Sequence, residues 1–161
     1  MKKIIIGNFK MNTKPSELKP YAMSLATKTK GCKNEIVICP PYTHLSVARE
    51  FLTGSDVAFG AQNISEEEKG AFTGEISASM IKDLGATYVI IGHSERRSKF
   101  KETDKLINKK IKTALANGLK VILCIGESLQ TRESKQAYAF IKKQLDDDLK
   151  GIYENELDSV I

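Results

Sequence analysis

An α/β fold assembled from successive βα units, with all its strands parallel, is predicted by three features of the chain. Short apolar runs rich in β-branched residues recur: Ile4-Ile5-Ile6, Ile36-Val37-Ile38-Cys39, Val57-Ala58-Phe59, Tyr88-Val89-Ile90-Ile91 and Val121-Ile122-Leu123-Cys124-Ile125. Each run is continuously apolar rather than alternating, as expected of parallel strands covered on both faces. Late strand positions Ile6, Ile38, Phe59, Ile91 and Leu123 are spaced by 32, 21, 32 and 32 residues, and every interval has room for one crossover helix.

The helical stretches carry their own punctuation. Ser16 precedes Glu17-Leu18, with Leu25 on the same face and Gly31 closing the segment. Thr43 opens a second helix through Leu45, Val47, Ala48 and Leu52, stopped by Gly54. Thr103 opens a third through Leu106, Ile107, Ile111 and Leu115, ended by Asn117-Gly118. The last runs from about Thr131 through Ala137, Phe140, Ile141 and Leu145. Hydroxyl caps and glycine stops agree with the apolar periodicity. A further strand begins at Asp158-Ser159-Val160-Ile161. The order βαβαβαβαβα fits either a doubly wound open sheet or a (β/α)8 barrel. The turn after the first strand, Gly7-Asn8-Phe9-Lys10-Met11-Asn12, lacks the G-x-G-x-x-G of a dinucleotide-binding sheet. The barrel is therefore favoured. A complete one takes about 250 residues, so residues 1–161 read as a single, incomplete (β/α)8 domain of about five βα units plus the start of a sixth strand.

Bulk properties narrow the function classes. With 41% hydrophobic and 28% charged residues in 161, the chain has the balance of a globular protein with a core. Only three apolar residues precede Gly7, whereas a secretory signal needs about 7–15, and no run approaches the roughly 20 that span a bilayer. A cytoplasmic protein without membrane partners is expected. Cys32, Cys39 and Cys124 are odd in number and lack any CxxC, so they read as reduced, buried thiols. The net charge of +5 is spread among intermixed Lys, Arg, Asp and Glu, with no nucleic-acid motif, and suits an anionic small molecule.

In barrel enzymes the chemistry gathers at the carboxyl ends of the strands. Those ends carry Asn8 and Lys10, Gln62 and Asn63, His93 with Glu95, and Glu127, an unusually polar set to follow buried strands. A lysine there can hold a phosphate or an oxyanion through a compact charge with three donors. His93 stands where a short helix begins, and the positive end of a helix favours the neutral imidazole, able to donate to a carbonyl oxygen. Taken singly, each is better explained structurally. His44 reads as a surface residue, Cys124 as a core thiol without an adjacent base, and Asp146-Asp147-Asp148 as a solvated helix face rather than a metal site.

Taken together, the strand-end motifs resemble those of triosephosphate isomerases. Gly7-Asn8-Phe9-Lys10-Met11-Asn12 is similar to that family's opening motif. Gly60-Ala61-Gln62-Asn63 with Gly70-Ala71-Phe72-Thr73-Gly74-Glu75 is similar to its third loop. Ile91-Gly92-His93-Ser94-Glu95-Arg96-Arg97 and Cys124-Ile125-Gly126-Glu127 match two more. The resemblance covers about two-thirds of a TIM barrel. It implies interconversion of dihydroxyacetone phosphate and glyceraldehyde 3-phosphate, a step of glycolysis and gluconeogenesis, without metal or organic cofactor. It implies Asn8 and Lys10 on the substrate, His93 as the electrophile that shuttles protons between the oxygens of an enediolate, Glu95 holding Lys10, and Cys124 in support. Phe72, Thr73 and Gly74 would contact a second subunit of a homodimer.

Three departures stand out: Phe9 for a usual Trp, Lys101 for a usual Gly, and the position of the catalytic Glu. The family carries that Glu after strand six in an Ala-Tyr-Glu-Pro-like segment, which does not occur within residues 1–161. These residues alone are therefore expected to lack isomerase activity. The alternative function is a non-catalytic half-barrel serving in assembly.

Overall fold

The computed structural model describes residues 3–161; Met1 and Lys2, at the start of the segment before Gly7 that is too short for a secretory signal, lie outside the described residues. Five strands, β1 (Ile4–Asn8), β2 (Glu35–Cys39), β3 (Val57–Ala61), β4 (Tyr88–Ile91) and β5 (Lys120–Leu123), pair in sequence order, all parallel. The helices are α1 (Pro15–Lys28), α2 (Leu45–Leu52), α3 (Ala78–Asp83), α4 (Ser94–Lys99), α5 (Asp104–Ala116), α6 (Leu129–Glu133), α7 (Ala137–Asp148) and α8 (Glu154–Leu157). Of the sixth strand expected from Asp158, the described residues show a single parallel bridge between Val160 and Val121, with Asp158 and Ser159 still in the turn after α8. Val121 N–H donates to Ser159 O (2.8 Å) and Ile161 N–H to Val121 O (2.8 Å), a parallel pairing with β5.

Strands β2, β3 and β4 bury both faces, which is why their sequences do not alternate. Ile36, Ile38, Val57, Phe59, Val89, Ile91 and Val121 point outward onto Leu18, Leu45, Leu52, Ile81, Ile107 and Ile111 of the helical layer. Val37, Cys39, Tyr88 and Ile90 point inward with Ile6, Ala58, Ile122 and Cys124 to form a second, smaller cluster inside the curl of the sheet. Close strand approach depends on Gly60, where a Cβ would lie 2.4 Å from the Tyr88 carbonyl oxygen. The outer edge of β1 leaves Ile4 and Ile5 exposed.

Several local expectations are revised. The first helix starts at Pro15, one residue before Ser16, where the Lys14 N–H donates to Glu17 Oε2 (2.6 Å). A 3₁₀ turn, Tyr42–His44, precedes α2. The single last helix expected from Thr131 is two, α6 and α7, divided where Lys135 takes φ +60°. Helices α3 and α8 are not among the helices expected from the apolar periodicity, although Ser77 caps α3 by accepting the Met80 N–H (3.3 Å). The strand expected through Ile125 ends at Leu123. Of the three thiols, Cys39 is buried and pushed up to about 12 by that burial, but Cys124 is half-buried and Cys32 is exposed. Cys32 follows Gly31, outside any apolar run, so no packing covers it. Among the described residues no helix is long and apolar enough to cross a membrane.

Candidate active site

Parallel strands deliver their carboxyl ends to one rim, and the loops that follow β1, β3 and β4 build a cleft of about 250 Å³ there. Its lining includes Asn8, Lys10, Gln62, Asn63, His93 and Glu95. Asn8 closes β1 and its Oδ1 accepts from the Lys10 N–H (2.9 Å). This bond fits a backbone that turns sharply: Lys10 has φ +53° and Thr13 φ +69°, the left-handed region that non-glycine residues seldom occupy. Gln62 fastens the turn, its Nε2 donating to Lys10 O (2.9 Å) and Cys39 O (2.8 Å). A rigid, strained loop thus presents a half-exposed ammonium to the cleft.

Lys10 Nζ meets Glu95 Oε1 at 3.1 Å, the contact that the family resemblance implies. The hydrogen bond from the Lys10 ammonium, with its charge, holds the Glu95 carboxyl below the usual carboxylate range. His93 caps α4, and its Nδ1 accepts the Glu95 backbone N–H at 3.3 Å. Glu95 Oε2 also lies 3.4 Å from Nδ1. On a neutral ring Nδ1 can serve only one of them. With the Glu95 backbone N–H on Nδ1, a neutral ring carries its proton on Nε2. His93 and Lys10 therefore offer two donors to the same cleft.

Two buried ionic clusters flank this set. In the first, Lys110 Nζ donates to Glu102 Oε1 (2.6 Å) and Asn63 Oδ1 (2.9 Å), and Arg96 Nε to Glu102 Oε1 (2.7 Å). In the second, Arg97 donates to the carbonyls of Gly92 (2.7 Å) and Cys124 (3.1 Å) and to the carboxylates of Asp104 (2.5 Å) and Asp148 (2.6 Å). Gly92 has φ +75°, and a Cβ on it would stand 2.7 Å from Arg97 Nη2. Neither cluster was foreseen. Lys110 left one signal, its place in the apolar row Ile107, Ile111, Ala114 of α5, where a lysine needs a partner.

Other residues singled out in the sequence fall differently. Glu127 lies outside the cleft lining, bound to Arg132 Nε (2.7 Å), whose hydrogen bond holds its carboxyl below the usual range. Cys124 faces the inner cluster, its thiol raised by burial, and lends its carbonyl to Arg97. Phe72, Thr73 and Gly74 sit on an exposed turn whose base is closed by Ser65 N–H donating to Ile76 O (2.8 Å). Lys101 has φ +59°, the conformation a glycine would take without strain.

Two expectations are overturned. His44 is buried, not on the surface, its ring nitrogens meeting the hydroxyls of Thr13 (3.2 Å) and Thr43 (3.0 Å). Asp146 and Asp147 do face solvent, paired with Lys142 and Lys143, but Asp148 is fully buried against Arg97. One helical turn carries successive residues around its axis, so a run of three carboxylates cannot share one face. Among the described residues no three His, Cys, Asp or Glu side chains gather to hold a metal ion.

Comparison with known proteins accounts for this arrangement. Residues 3–161 match the family model described as triosephosphate isomerase. The chain is 46% identical over 158 residues to the triosephosphate isomerase of Caldanaerobacter subterraneus subsp. tengcongensis, covering 98% of this chain and 64% of that protein. It is 48% identical over 156 residues to that of Finegoldia magna, covering 97% and 62%. The crystal structure of triosephosphate isomerase from Bartonella henselae superposes with a TM-score of 0.90 at 34% identity, over 100% of this chain and 66% of that one. The chain thus spans about 64% of the length of the curated relatives it matches, and its curled sheet is part of a TIM barrel.

Proposed function

Because the chain belongs to the triosephosphate isomerase family, we propose that its cleft binds a triose phosphate and serves the interconversion of dihydroxyacetone phosphate and glyceraldehyde 3-phosphate. The reading rests on one observation above all: the Lys10 ammonium, the Asn8 amide and the His93 imidazole converge on one cleft. The dianionic substrate is drawn by Lys10, a point charge kept aimed by Glu95 and by the strained turn beneath it. His93 Nε2–H donates to the substrate carbonyl oxygen as a base removes the proton from the adjacent carbon. The electron pair of that C–H bond moves into an enediolate whose negative charge falls on the oxygen facing His93 and Lys10. His93 passes the hydroxyl proton from one oxygen of the enediolate to the other, and return of the abstracted proton to the neighbouring carbon completes the isomerisation with no net oxidation. One preorganised donor of this kind is worth about 2.7–4 kcal/mol of transition-state stabilisation.

The base is expected on the Ala-Tyr-Glu-Pro-like segment that the family carries after strand six and that residues 1–161 do not contain. A positioned general base contributes about 10²–10⁴ in rate, so these residues alone should turn over little substrate. The exposed turn at Phe72 and Thr73 is the proposed contact with a second copy of the chain. Its length and its lack of cover on this side suit an interface.

The test is Lys10→Met in a protein carrying all eight βα units. Met keeps the stem and removes the charge, so kcat/KM for glyceraldehyde 3-phosphate should fall by about 10³ or more while thermal stability stays near wild type. Near-normal kcat/KM would remove Lys10 from the site and with it this reading.

A further inference from the structure

We propose that Arg97 and Asp148 are positioning residues for His93, and that their grip is set by the ionisation of Asp148. The inference rests on the isomerase reading above only for what His93 does, not for how it is held.

Arg97 lies in α4, four residues after His93. Its guanidinium uses three nitrogens on four acceptors: the Gly92 and Cys124 carbonyls, Asp104 and Asp148. Gly92 immediately precedes His93, and Cys124 immediately follows β5, so a single side chain ties the ends of two neighbouring strands behind the imidazole. The clearance at Gly92, where even a methyl would touch Arg97 Nη2, shows how closely the fork is seated. No other side-chain hydrogen bond is made to the Gly92 carbonyl among the described residues.

Asp148 is the deepest of those acceptors. It ends α7, is fully buried, accepts from Arg97 through Oδ2, and leaves Oδ1 without a partner. The groups that face it are Arg97 from α4, Asp104 and the Asn108 amide from α5, and the Cys124 carbonyl beyond β5; on its own helix the neighbouring Asp147 is turned outward to Lys143. Only Arg97 favours the carboxylate. Burial outweighs that guanidinium and pushes Asp148 up to about 6. On protonation the bond to Arg97 keeps its ionised donor but loses the attraction between opposite charges, so it is weakened. Asp104, about one-third exposed, remains but is the more solvated hold. The frame behind His93 then loosens while the fold persists.

The experiment uses the full-length protein with Asp148→Asn and Arg97→Lys, following the Arg97 Nε–H signal by NMR and kcat and KM for glyceraldehyde 3-phosphate across pH 5–8. In the wild type the Arg97 signal should shift with a midpoint near pH 6, and kcat should fall through the same midpoint as pH drops. Asp148→Asn should abolish the step in the Arg97 signal and that limb of the kcat profile. At pH 7.5 both variants should lose about 10-fold or more in kcat with KM changed by less than about twofold, the mark of misplacement rather than lost binding. Arg97→Lys keeps the charge and loses the fork, so it decides the matter if Asp148→Asn does not fold. A step that survives in Asp148→Asn, or a folded variant with wild-type kcat, overturns the proposal. A wild type without turnover refutes the isomerase reading instead and leaves the Arg97 midpoint, present or absent, to decide this one.

Discussion

Replacing Lys110 by Met removes one charge from a cluster in which both ions are almost wholly buried, with 4% of the Lys110 side chain and 3% of Glu102 exposed. Glu102 would keep Arg96 on Oε1, but its Oε2 already lacks a partner, and Asn63 Oδ1 would lose its Lys110 donor. Breaking a buried pair by deleting one partner costs about 3–5 kcal/mol, because the other charge stays buried. Arg96 retains part of that, and the stranded Asn63 acceptor adds about 1–3 kcal/mol. The balance is a loss of about 3–4 kcal/mol. Urea unfolding of the complete barrel at fixed protein concentration should show a midpoint lower by about 1–2 M, for a slope of about 2–3 kcal/mol/M. Removing both ions, in Lys110→Met with Glu102→Leu, should recover most of the loss, since apolar replacement of a buried pair is often neutral. Arg96, partly exposed, can turn to water. A Lys110→Met midpoint within error of wild type, or a double variant worse than the single one, would refute the buried-charge account.

Gly92→Ala should cost about 2–3 kcal/mol, from its left-handed backbone and the clash with Arg97, read as a fall in melting temperature of the full-length protein; a melt like wild type would mean the loop is loose. Asp148 carries a folded value near 6 against an ordinary 3.8, so the folded chain holds that proton more tightly than the unfolded one. Its contribution is therefore lost as pH rises from about 4 to about 6.5, by up to about 3 kcal/mol, and Asp148→Asn should flatten that slope in pH-dependent unfolding. Thr73→Arg should shift a sedimenting dimer of the full-length protein toward monomer, whereas a wild-type monomer would dismiss the interface.

What was legible in the sequence, and what was not, divides along distance. The strands could be read because burial on two faces leaves no polar position in the run, as in Tyr88-Val89-Ile90-Ile91. Helix α5 could be read at both ends, its Thr103 hydroxyl accepting the Leu106 N–H (3.3 Å) and Gly118 taking φ +65° beyond it. The break between α6 and α7 could not, since Lys135 adopts a glycine-like φ without being glycine. Asn8, Lys10, His93 and Glu95 were visible only as a set, because polar residues gathered at the carboxyl ends of several apolar strands form a pattern that no one of them makes alone. Asp148 was not, because Arg97 lies 51 residues away, and Lys110 was not, because its pairing with Glu102 is completed by Asn63, 47 residues distant. His44 looked like surface for the same reason: Thr13, which helps to satisfy its ring, lies 31 residues earlier.

Those distant partnerships explain how His93 is held at all. Helix α4 has six residues and buries none of them, so hydrophobic packing cannot fix its orientation. Its two adjacent arginines do this instead, and they diverge. Arg96 reaches to Glu102, which Lys110 ties to Asn63 and so to the end of β3. Arg97 reaches a different set of partners, at the ends of β4 and β5 and the terminus of α7. Two anchors about 100° apart around a short helix resist rotation about its axis better than one would. Directional ionic bonds are a costly means of burial but a good means of aiming a side chain. In this chain they stand beside the imidazole whose aim the proposed chemistry requires.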